Sequence, residues 1–354
     1  GRTMAGVKTG LVKQALVRYI RERELRRGDR LPPQGTLRKS LGFGTATIAA
    51  AIHELKEDQV LEVRDKIGVF VVNPEADGHT GRVIGLAVNA LEVSAFRSCL
   101  SNLLLIQLAE RGWQVRPFFC MNPDLSGKLD LASFPGLRRT VERGGIEALI
   151  SLGDFSDESM RYFQSKQLPT LFIGSLERSG ERVYIDMESY MHEALAKLKE
   201  RGCRRPAALI SKGLEPLRNR FFTGLNGFPQ PEHPEMLCLS GNFVPDGAEA
   251  ARRLLAEVPE LRPDGVVIFD DTLASSFTAE LYRSGSGYRP RLAILRNLQN
   301  PMDFATVDPV IFTVDLNELA AAAARLLWKR FHGDTTPMLH PYVPVHTNPM
   351  EVFS

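Results

Sequence analysis

The sequence predicts an α/β protein: a small N-terminal helical domain that ends in a two-stranded hairpin, then a larger domain of parallel strands flanked by helices. Residues 31–71 contain two short amphipathic segments around glycines, followed by alternating apolar residues. From residue 82 onward, short apolar runs alternate with amphipathic segments. Residues 1–72 hold 14 Lys and Arg against 8 Asp and Glu, whereas the 354-residue chain holds 44 and 42. The basic charge therefore lies mainly in the first domain.

The first domain begins with three predicted helices. Residues 9–24 place apolar side chains on one face and arginines on the other. Pro32-Pro33 opens the second helix, because proline fits a first helical turn. That helix stops at Gly42-Phe43-Gly44, and Thr45 is expected to cap the third. The pattern is typical of two helices around a tight turn.

The third helix and the hairpin together predict a DNA-binding element. Ile48, Ile52 and Leu55 form one buried stripe at helical spacing. Residues 60–63 and 69–72 then alternate as two strands of a wing. A helix-turn-helix places its second helix in the DNA major groove, and a basic wing lies on the neighbouring phosphates. We therefore predict a winged helix-turn-helix domain over residues 1–72.

The candidate DNA contacts lie on the helix-turn-helix and on the wing. They are Arg38, Lys39, Thr45, Thr47, His53, Arg64, Lys66 and Gly68. The alternative for His53 is a solvated position on a helix face. The basic surplus has an alternative too, because small helical domains are often rich in Lys and Arg for solubility.

This stretch resembles the winged helix of the GntR family of bacterial repressors. The resemblance rests on the spacing of Leu31-Pro32, Leu37, Leu41-Gly42, Thr47-Ile48, Leu55, Val60-Leu61-Glu62 and Gly68-Val69-Phe70-Val71. The family usually carries arginine at the positions of Gly35, Thr45 and Ala49. Those arginines are absent here, so the resemblance does not extend to the operator sequence.

Residues 73–81 (NPEADGHTG) are polar and lack periodicity, which predicts a linker to a second domain over residues 82–354. That domain alternates buried strands with amphipathic helices, as parallel sheets covered on both faces do. Its length exceeds one ordinary doubly wound domain, so we expect two lobes. The predicted strands are 83–88, 115–119, 148–152, 170–173, 183–185, 207–210, 265–269, 292–295 and 311–314. The predicted helices are 94–111, 137–143, 157–166, 190–201, 219–228, 249–258, 273–283 and 316–331.

Residues from about 82 to 349 resemble the effector domain of the LacI/GalR repressors, which is related to periplasmic sugar-binding proteins. The resemblance is carried by RVIGLAVNALEVSAF, LAERGWQV, LPTLFIG, VYIDMESYMHEALAKLKERGCRRPAALI and PDGVVIFDDTLA, in that order. It implies a periplasmic-binding-protein-like fold of two lobes with a cleft between them. A GntR-type head on a LacI-type body is the arrangement of the arabinose-repressor subgroup.

Ligands of open parallel sheets bind beyond the carboxyl ends of the strands. Carboxylates, amides and an aromatic face suit a sugar, because they pair with hydroxyls and cover the ring. The candidate residues after strands are Asn89, Phe96, Ser151, Arg218, Arg220, Phe243, Asp270, Asp271 and Gln299.

The LacI/GalR resemblance implies roles for some of these residues. Asp271 matches the effector-binding aspartate of the family, Asn89 and Ser151 match polar contact positions, and Phe243 falls where some relatives place an aromatic. The family's arginine falls one residue away from Arg220.

For several of these candidate residues a purely structural role remains an alternative to ligand binding. Asp270-Asp271 could form only a helix cap, Phe243 could belong to the core, and Arg218 and Arg220 could be surface charges. Arg296 stands where the family has a small residue, so it could alter or fill the pocket.

These features predict a cytoplasmic, homodimeric transcriptional repressor that binds operator DNA and a small polar effector, with no cofactor or metal. The four cysteines are scattered and predict reduced thiols, and no apolar run is long enough for a membrane helix. The sequence lacks GxSxG, HExxH and GxxxxGK[ST], which argues against an enzyme. The remaining alternative is a body that only dimerises or binds a protein partner.

Overall fold

The computed structural model describes residues 4–74, 82–92, 94–124, 127–174, 176, 180–228, 236–239, 244–299, 302–331, 333–338 and 342–347. The chain forms two compact units. The first comprises residues 1–89, 105–121 and 128–172, and the second comprises 90–104, 122–127 and 173–354. Most of the predicted linker lies outside the described residues.

The N-terminal part of the first unit is the predicted winged helix-turn-helix. Its elements are α1 (Met4–Glu22), α2 (Gln34–Leu41), α3 (Thr45–Glu57), β1 (Leu61–Arg64) and β2 (Gly68–Val71). The two strands pair antiparallel. The apolar stripes of α1 and α3 share one buried cluster, which includes Leu16, Ile48 and Leu55. The head therefore has a hydrophobic core of its own.

Two local details of the helix-turn-helix differ from the prediction. Pro33 is the N-cap of α2 and not a residue of its first turn. The N-cap of α3 is Gly44, which has no side chain to accept a hydrogen bond, so Thr45 is the first helical residue. Gly42 ends α2 with φ of 74°, a left-handed conformation that glycine adopts without a Cβ clash.

The rest of the first unit is built on parallel strands. The elements of this part of the chain are β3 (Val83–Asn89), α4 (Ala95–Ala109), β4 (Gln114–Cys120), α5 (Leu137–Glu142), β5 (Ala148–Ser151), α6 (Asp157–Ser165) and β6 (Thr170–Gly174). The strand order is β4-β3-β5-β6, with parallel pairing throughout. β3 and β5 are buried almost continuously, as expected for parallel strands covered on both faces.

The head contacts this first sheet region through Arg27. Arg27 packs against Gly144, the glycine just after α5, where an added Cβ would lie 2.7 Å from the Arg27 Cβ. Nearby, the buried Arg82 Nη1 donates to Glu147 Oε2 at 2.8 Å. Burial raises the pKa of Glu147 to about 7, although Arg82 and Arg27 oppose the shift.

The second unit contains a sheet of six strands and two further strands that pair with each other. β7 (Arg182–Ile185) pairs with β13 (Tyr342–Val343). The strands of the six-stranded sheet are β8 (Pro206–Ser211), β9 (Met236–Leu239), β10 (Gly265–Ile268), β11 (Arg291–Asn297), β12 (Val310–Val314) and β14 (Val345–Thr347). Their order is β14-β12-β11-β10-β8-β9, and only β14 is antiparallel to its neighbour. The predicted class of parallel sheets flanked by helices is confirmed.

The helices of the second unit that follow β7 are α7 (Met187–Glu200), α8 (Arg218–Gly224), α9 (Val244–Ala256), α10 (Asp271–Arg283) and α11 (Leu316–Phe331). α7, α9 and α10 pack against the six-stranded sheet, whereas α11 packs against β7 and β13. Tyr190 of α7 is fully buried, and its hydroxyl donates to the carbonyl of Ile268 at 2.7 Å. In α9, Gly247 allows close approach to α10: an added Cβ would lie 2.4 Å from the Leu273 carbonyl oxygen. In the described residues, no helix is both long and apolar enough to cross a membrane.

Candidate functional site

The helix-turn-helix presents the predicted cations to solvent. Arg38, Lys39, Thr45 and His53 are exposed, whereas Thr47 is half-buried. The side chains of Arg38, Lys39 and His53 form no hydrogen bond or ion pair with another described residue. Their donors are therefore available for phosphate oxygens or base edges.

The wing carries both predicted cations, but one of them is already paired. Arg64 Nη2 donates to Glu62 Oε2 at 2.9 Å, and the Arg64 guanidinium lies 4.4 Å from the Phe70 ring centre. The Glu62 hydrogen bond raises the pKa of Arg64, which stays a cation. Lys66 is exposed at the wing turn with φ of 60°, and Gly68 is half-buried.

Arg30 is a basic residue at the wing that the sequence did not single out. It bridges to Phe70 through the backbone, and its Nε would lie 2.6 Å from a Cβ added at Gly68, where φ is 145°. A substitution at Gly68 would strain the backbone and displace this exposed arginine. The two residues are 38 positions apart, so only the wing pairing reveals their proximity.

The carboxyl ends of β10 and β11 bring Asp270, Asp271 and Asn297 together. Asp270 is the N-cap of α10, and its Oδ1 accepts from the backbone N–H of Thr272 at 2.7 Å. Asp271 Oδ2 accepts from Asn297 Nδ2 at 3.0 Å and from the Asn297 backbone N–H at 3.3 Å. Asp270 is therefore the helix cap, whereas Asp271 accepts hydrogen bonds from Asn297 on the neighbouring strand.

Burial disfavours the charged form of both carboxyls. The pKa of Asp270 is raised by burial and by the neighbouring Asp271. The pKa of Asp271 is raised by burial, against the hydrogen bonds from Asn297. Within the same unit, Asp271 is close enough to Cys99 of α4 to raise the pKa of that thiol, although burial of Cys99 contributes more. A hydroxyl or amine donor would satisfy this site well.

Four buried side-chain polar atoms at this end of the sheet lack a hydrogen-bond partner. They are Asp271 Oδ1, Thr272 Oγ1, Arg296 Nε and Thr313 Oγ1. Arg296 and Thr313 belong to the adjacent strands β11 and β12, and Asp271 and Thr272 begin α10, the helix that follows β10. An unsatisfied buried polar group costs about 1–3 kcal/mol, more if it is charged. Such a concentration of buried, unpartnered polar atoms is typical of a polar binding site.

Other predicted ligand residues of the second unit already have protein partners. Gln299 donates to Asp315 Oδ1 and accepts from the Leu316 backbone N–H at 2.9 Å, so it supports the start of α11. Arg218 pairs with Glu215 at 2.8 Å, and Arg220 pairs with Glu188 at 2.9 Å. Both arginines are exposed, in agreement with the surface-charge alternative.

The remaining predicted ligand residues are distributed over both units. Asn89 and Ser151 are buried at the carboxyl ends of β3 and β5 in the first unit. Ser151 Oγ donates to the Gly153 carbonyl at 2.5 Å, which shapes a turn. Phe96 is half-buried in the first turn of α4, and residues 95–104 of this helix belong to the second unit. Phe243 lies outside the described residues.

Comparisons with known proteins match the head and the body of the chain separately. Residues 8–71 match the family described as "Bacterial regulatory proteins, gntR family". No curated protein matches the chain. The fold matches a LacI family transcriptional regulator from Bifidobacterium animalis subsp. lactis with a TM-score of 0.56, 20% identity, and coverage of 76% of this chain and 94% of that chain.

Two ligand-bound structures are similar as well. One is a LacI family transcriptional regulator from Enterococcus faecium with bound ribose, at TM-score 0.58, 16% identity, and coverage of 75% and 97%. The other is the Cra transcriptional dual regulator from Pseudomonas putida in complex with fructose 1-phosphate, at TM-score 0.59, 17% identity, and coverage of 75% and 98%. In both comparisons the first coverage is the share of this chain that is matched, and the second is the share of the similar chain.

The comparisons show a family match for the head and a fold match for the body. Residues 8–71 of the head match the gntR-family model, and the body has the fold of LacI-type regulators, so the predicted resemblance is confirmed in both parts.

Proposed function

We propose that the chain is a transcriptional repressor whose affinity for operator DNA changes when a sugar-like effector binds at the carboxyl ends of β10, β11 and β12. The carrying observation is the buried Asp271, which is 1% exposed and leaves Oδ1 without a partner. A sugar hydroxyl would donate to this oxygen. The ribose and fructose 1-phosphate bound by the similar regulators support a carbohydrate class.

Two copies of the chain would bind a near-palindromic site, because symmetric heads match symmetric half-sites. Regulation requires that the effector bind two conformations of the body with different affinities. It also requires that operator DNA bind the protein with different affinities in the same two conformations. The coupling is expected to change operator affinity by about fivefold or more.

A titration tests this proposal. An operator is first selected from random duplexes with the full-length protein, and its affinity is then measured with and without pentoses, hexoses, glycosides and their phosphates. We expect one class of sugar to change the Kd, and Asp271→Asn to abolish that change. The matched control is Asp130→Asn in the first unit, where Asp130 caps a short helix through the Ala132 N–H at 2.7 Å. An operator Kd that no sugar changes would favour a body that only dimerises.

A further inference from the structure

Arg296 and Thr313 are neighbours across two parallel strands. Arg296 of β11 pairs with Thr313 of β12 in the strand register. Residues directly opposite each other in a sheet project to the same face, so the two side chains are adjacent. Thr313 is 4% exposed, and Arg296 is half-buried. The site therefore combines a half-buried cation, whose Nε is buried, with a buried hydroxyl.

Neither side chain has a protein partner. Arg296 Nε and Thr313 Oγ1 are buried without a hydrogen bond, and among the described residues no carboxylate forms an ion pair with Arg296. The carboxylates that follow these strands have other partners: Asp270 caps α10, Asp271 Oδ2 accepts from Asn297, and Asp315 caps α11 through the Asn317 N–H at 2.8 Å.

Such an arrangement reduces the stability of the protein, because the buried Arg296 Nε–H and the buried Thr313 hydroxyl each lack a hydrogen-bond partner. Local violations of polar satisfaction are expected at functional sites. A guanidinium beside a hydroxyl is well suited to oxyanions, since its parallel N–H groups match the two oxygens of a carboxylate or phosphate.

We infer that Arg296 binds an oxyanion of the effector, with the Thr313 hydroxyl as a second donor, so that the effector is an anionic sugar derivative. This inference rests on the proposed function and specifies the chemistry of its ligand. The Asp271 end of the site takes a hydroxyl, and the Arg296 end takes a phosphate or a carboxylate. Sequence position alone suggested only that Arg296 alters or fills the pocket.

Thermal unfolding of the full-length protein with matched ligands tests the inference. The pairs are ribose with ribose 5-phosphate, fructose with fructose 1-phosphate, and glucose with glucuronate. Inorganic phosphate is the minimal probe. We expect an anionic member to raise the Tm above its neutral partner, because ligand binding stabilises the folded state by mass action. Phosphate and carboxylate members separate the two sources of the oxyanion.

The variant is Arg296→Met, and the matched control is Arg291→Met. Arg291 is exposed at the amino end of the same strand, so its replacement removes the same charge at the opposite edge of the sheet. The advantage of the anionic ligand should disappear in Arg296→Met and persist in Arg291→Met. Neutral and anionic ligands that stabilise equally would overturn the inference and leave the proposed function intact.

A second measurement needs no ligand. Without ligand, Arg296→Met should have a higher Tm than the wild type by a few °C, since about 1 kcal/mol corresponds to roughly 2–4 °C for a domain of 150–250 residues. A lower Tm would show that Arg296 stabilises the fold, and it would overturn the inference whatever the ligands do. Failure of the proposed function has a separate signature, namely an operator Kd that no member of the panel changes.

Discussion

Asp271 accepts both of its hydrogen bonds from Asn297 on one carboxylate oxygen, Oδ2, and leaves Oδ1 buried without a partner. Asn297 thereby holds the Asp271 carboxylate in one orientation, in which Oδ1 accepts no hydrogen bond. The half-satisfied carboxylate is what makes this end of the sheet a candidate binding site.

The pH dependence of stability should report the buried carboxyl of Asp270. Burial and Asp271 raise its folded-state pKa, so the folded protein binds a proton that the unfolded chain releases at lower pH. Stability from this group is present at low pH and is lost as pH rises through the folded pKa. Glu147, with a pKa raised to about 7, acts in the same direction. The Tm should fall from pH 5 to pH 8.

Asp270→Asn should flatten that profile without removing the helix cap, because asparagine is an equally good N-cap. One pKa unit corresponds to about 1.4 kcal/mol, so the expected flattening is a few °C across the range. The control is Asp186→Asn at the N-cap of α7, where Asp186 accepts from the Ser189 N–H at 3.1 Å. An unchanged slope in Asp270→Asn would contradict the assignment.

Glu62→Gln should strengthen DNA binding. The carboxylate of Glu62 pairs with Arg64 and competes with phosphate for it. Removing the acidic charge frees Arg64 to bind phosphate and removes the repulsion between Glu62 and the DNA phosphates. We therefore expect the affinity for DNA to rise severalfold at low salt. Fluorescence anisotropy against any duplex at two salt concentrations measures this.

Arg64→Gln is the opposing control for the wing. It should weaken binding and reduce the slope of log Kd against log salt by about one. If Glu62→Gln binds DNA more weakly than the wild type, Glu62 orients Arg64 and does not restrain it.

Gly247→Ala should destabilise the second unit by about 1–3 kcal/mol, the usual cost of overpacking. The new methyl group would clash with the Leu273 carbonyl oxygen and Ser276 Oγ. The clash can be relieved only if α9 and α10 move apart. Gly10→Ala is the matched helical control. An added Cβ at Gly10 meets nothing within 4 Å, so the change should stabilise α1 by about 0.5–1 kcal/mol. Urea denaturation of both variants decides whether α9 and α10 pack as closely as described.

Tyr190→Phe should cost about 1–2 kcal/mol, because it leaves the Ile268 carbonyl without its donor while the ring contacts remain. The ring packs edge-on against Phe269 and Phe312, at 4.7 and 5.0 Å between centres. The same substitution at Tyr282, which is 70% exposed, should have little effect. Equal denaturation midpoints for the two variants would argue against the buried hydrogen bond.

The sequence predicted the elements whose burial is continuous. β10 is a short, fully buried apolar run between amphipathic helices, and such runs identify parallel strands directly. The strands β13 and β14 were missed because they hold only two and three residues, too few to display a period. α9 begins at Val244, five residues before the predicted start. Pro245 lies in its first turn, where proline fits, and Gly247 is a poor helix former that the close packing against α10 accommodates.

The candidate site was predictable only in part. Asp270 and Asp271 follow a recognisable strand, so their place at its carboxyl end could be predicted. The adjacency of Arg296 and Thr313 depends on the register between β11 and β12, which no local pattern encodes. The pairing of Glu62 with Arg64 involves side-chain rotamers, which the strand alternation does not determine.

The contact between Arg27 and Gly144 bears on the exchange of domains between regulators. A chimera that received a foreign segment in place of residues 1–72 would retain its covalent tether but lose a side chain fitted to that glycine. Grafting experiments on this protein should therefore transfer the arginine together with the new head.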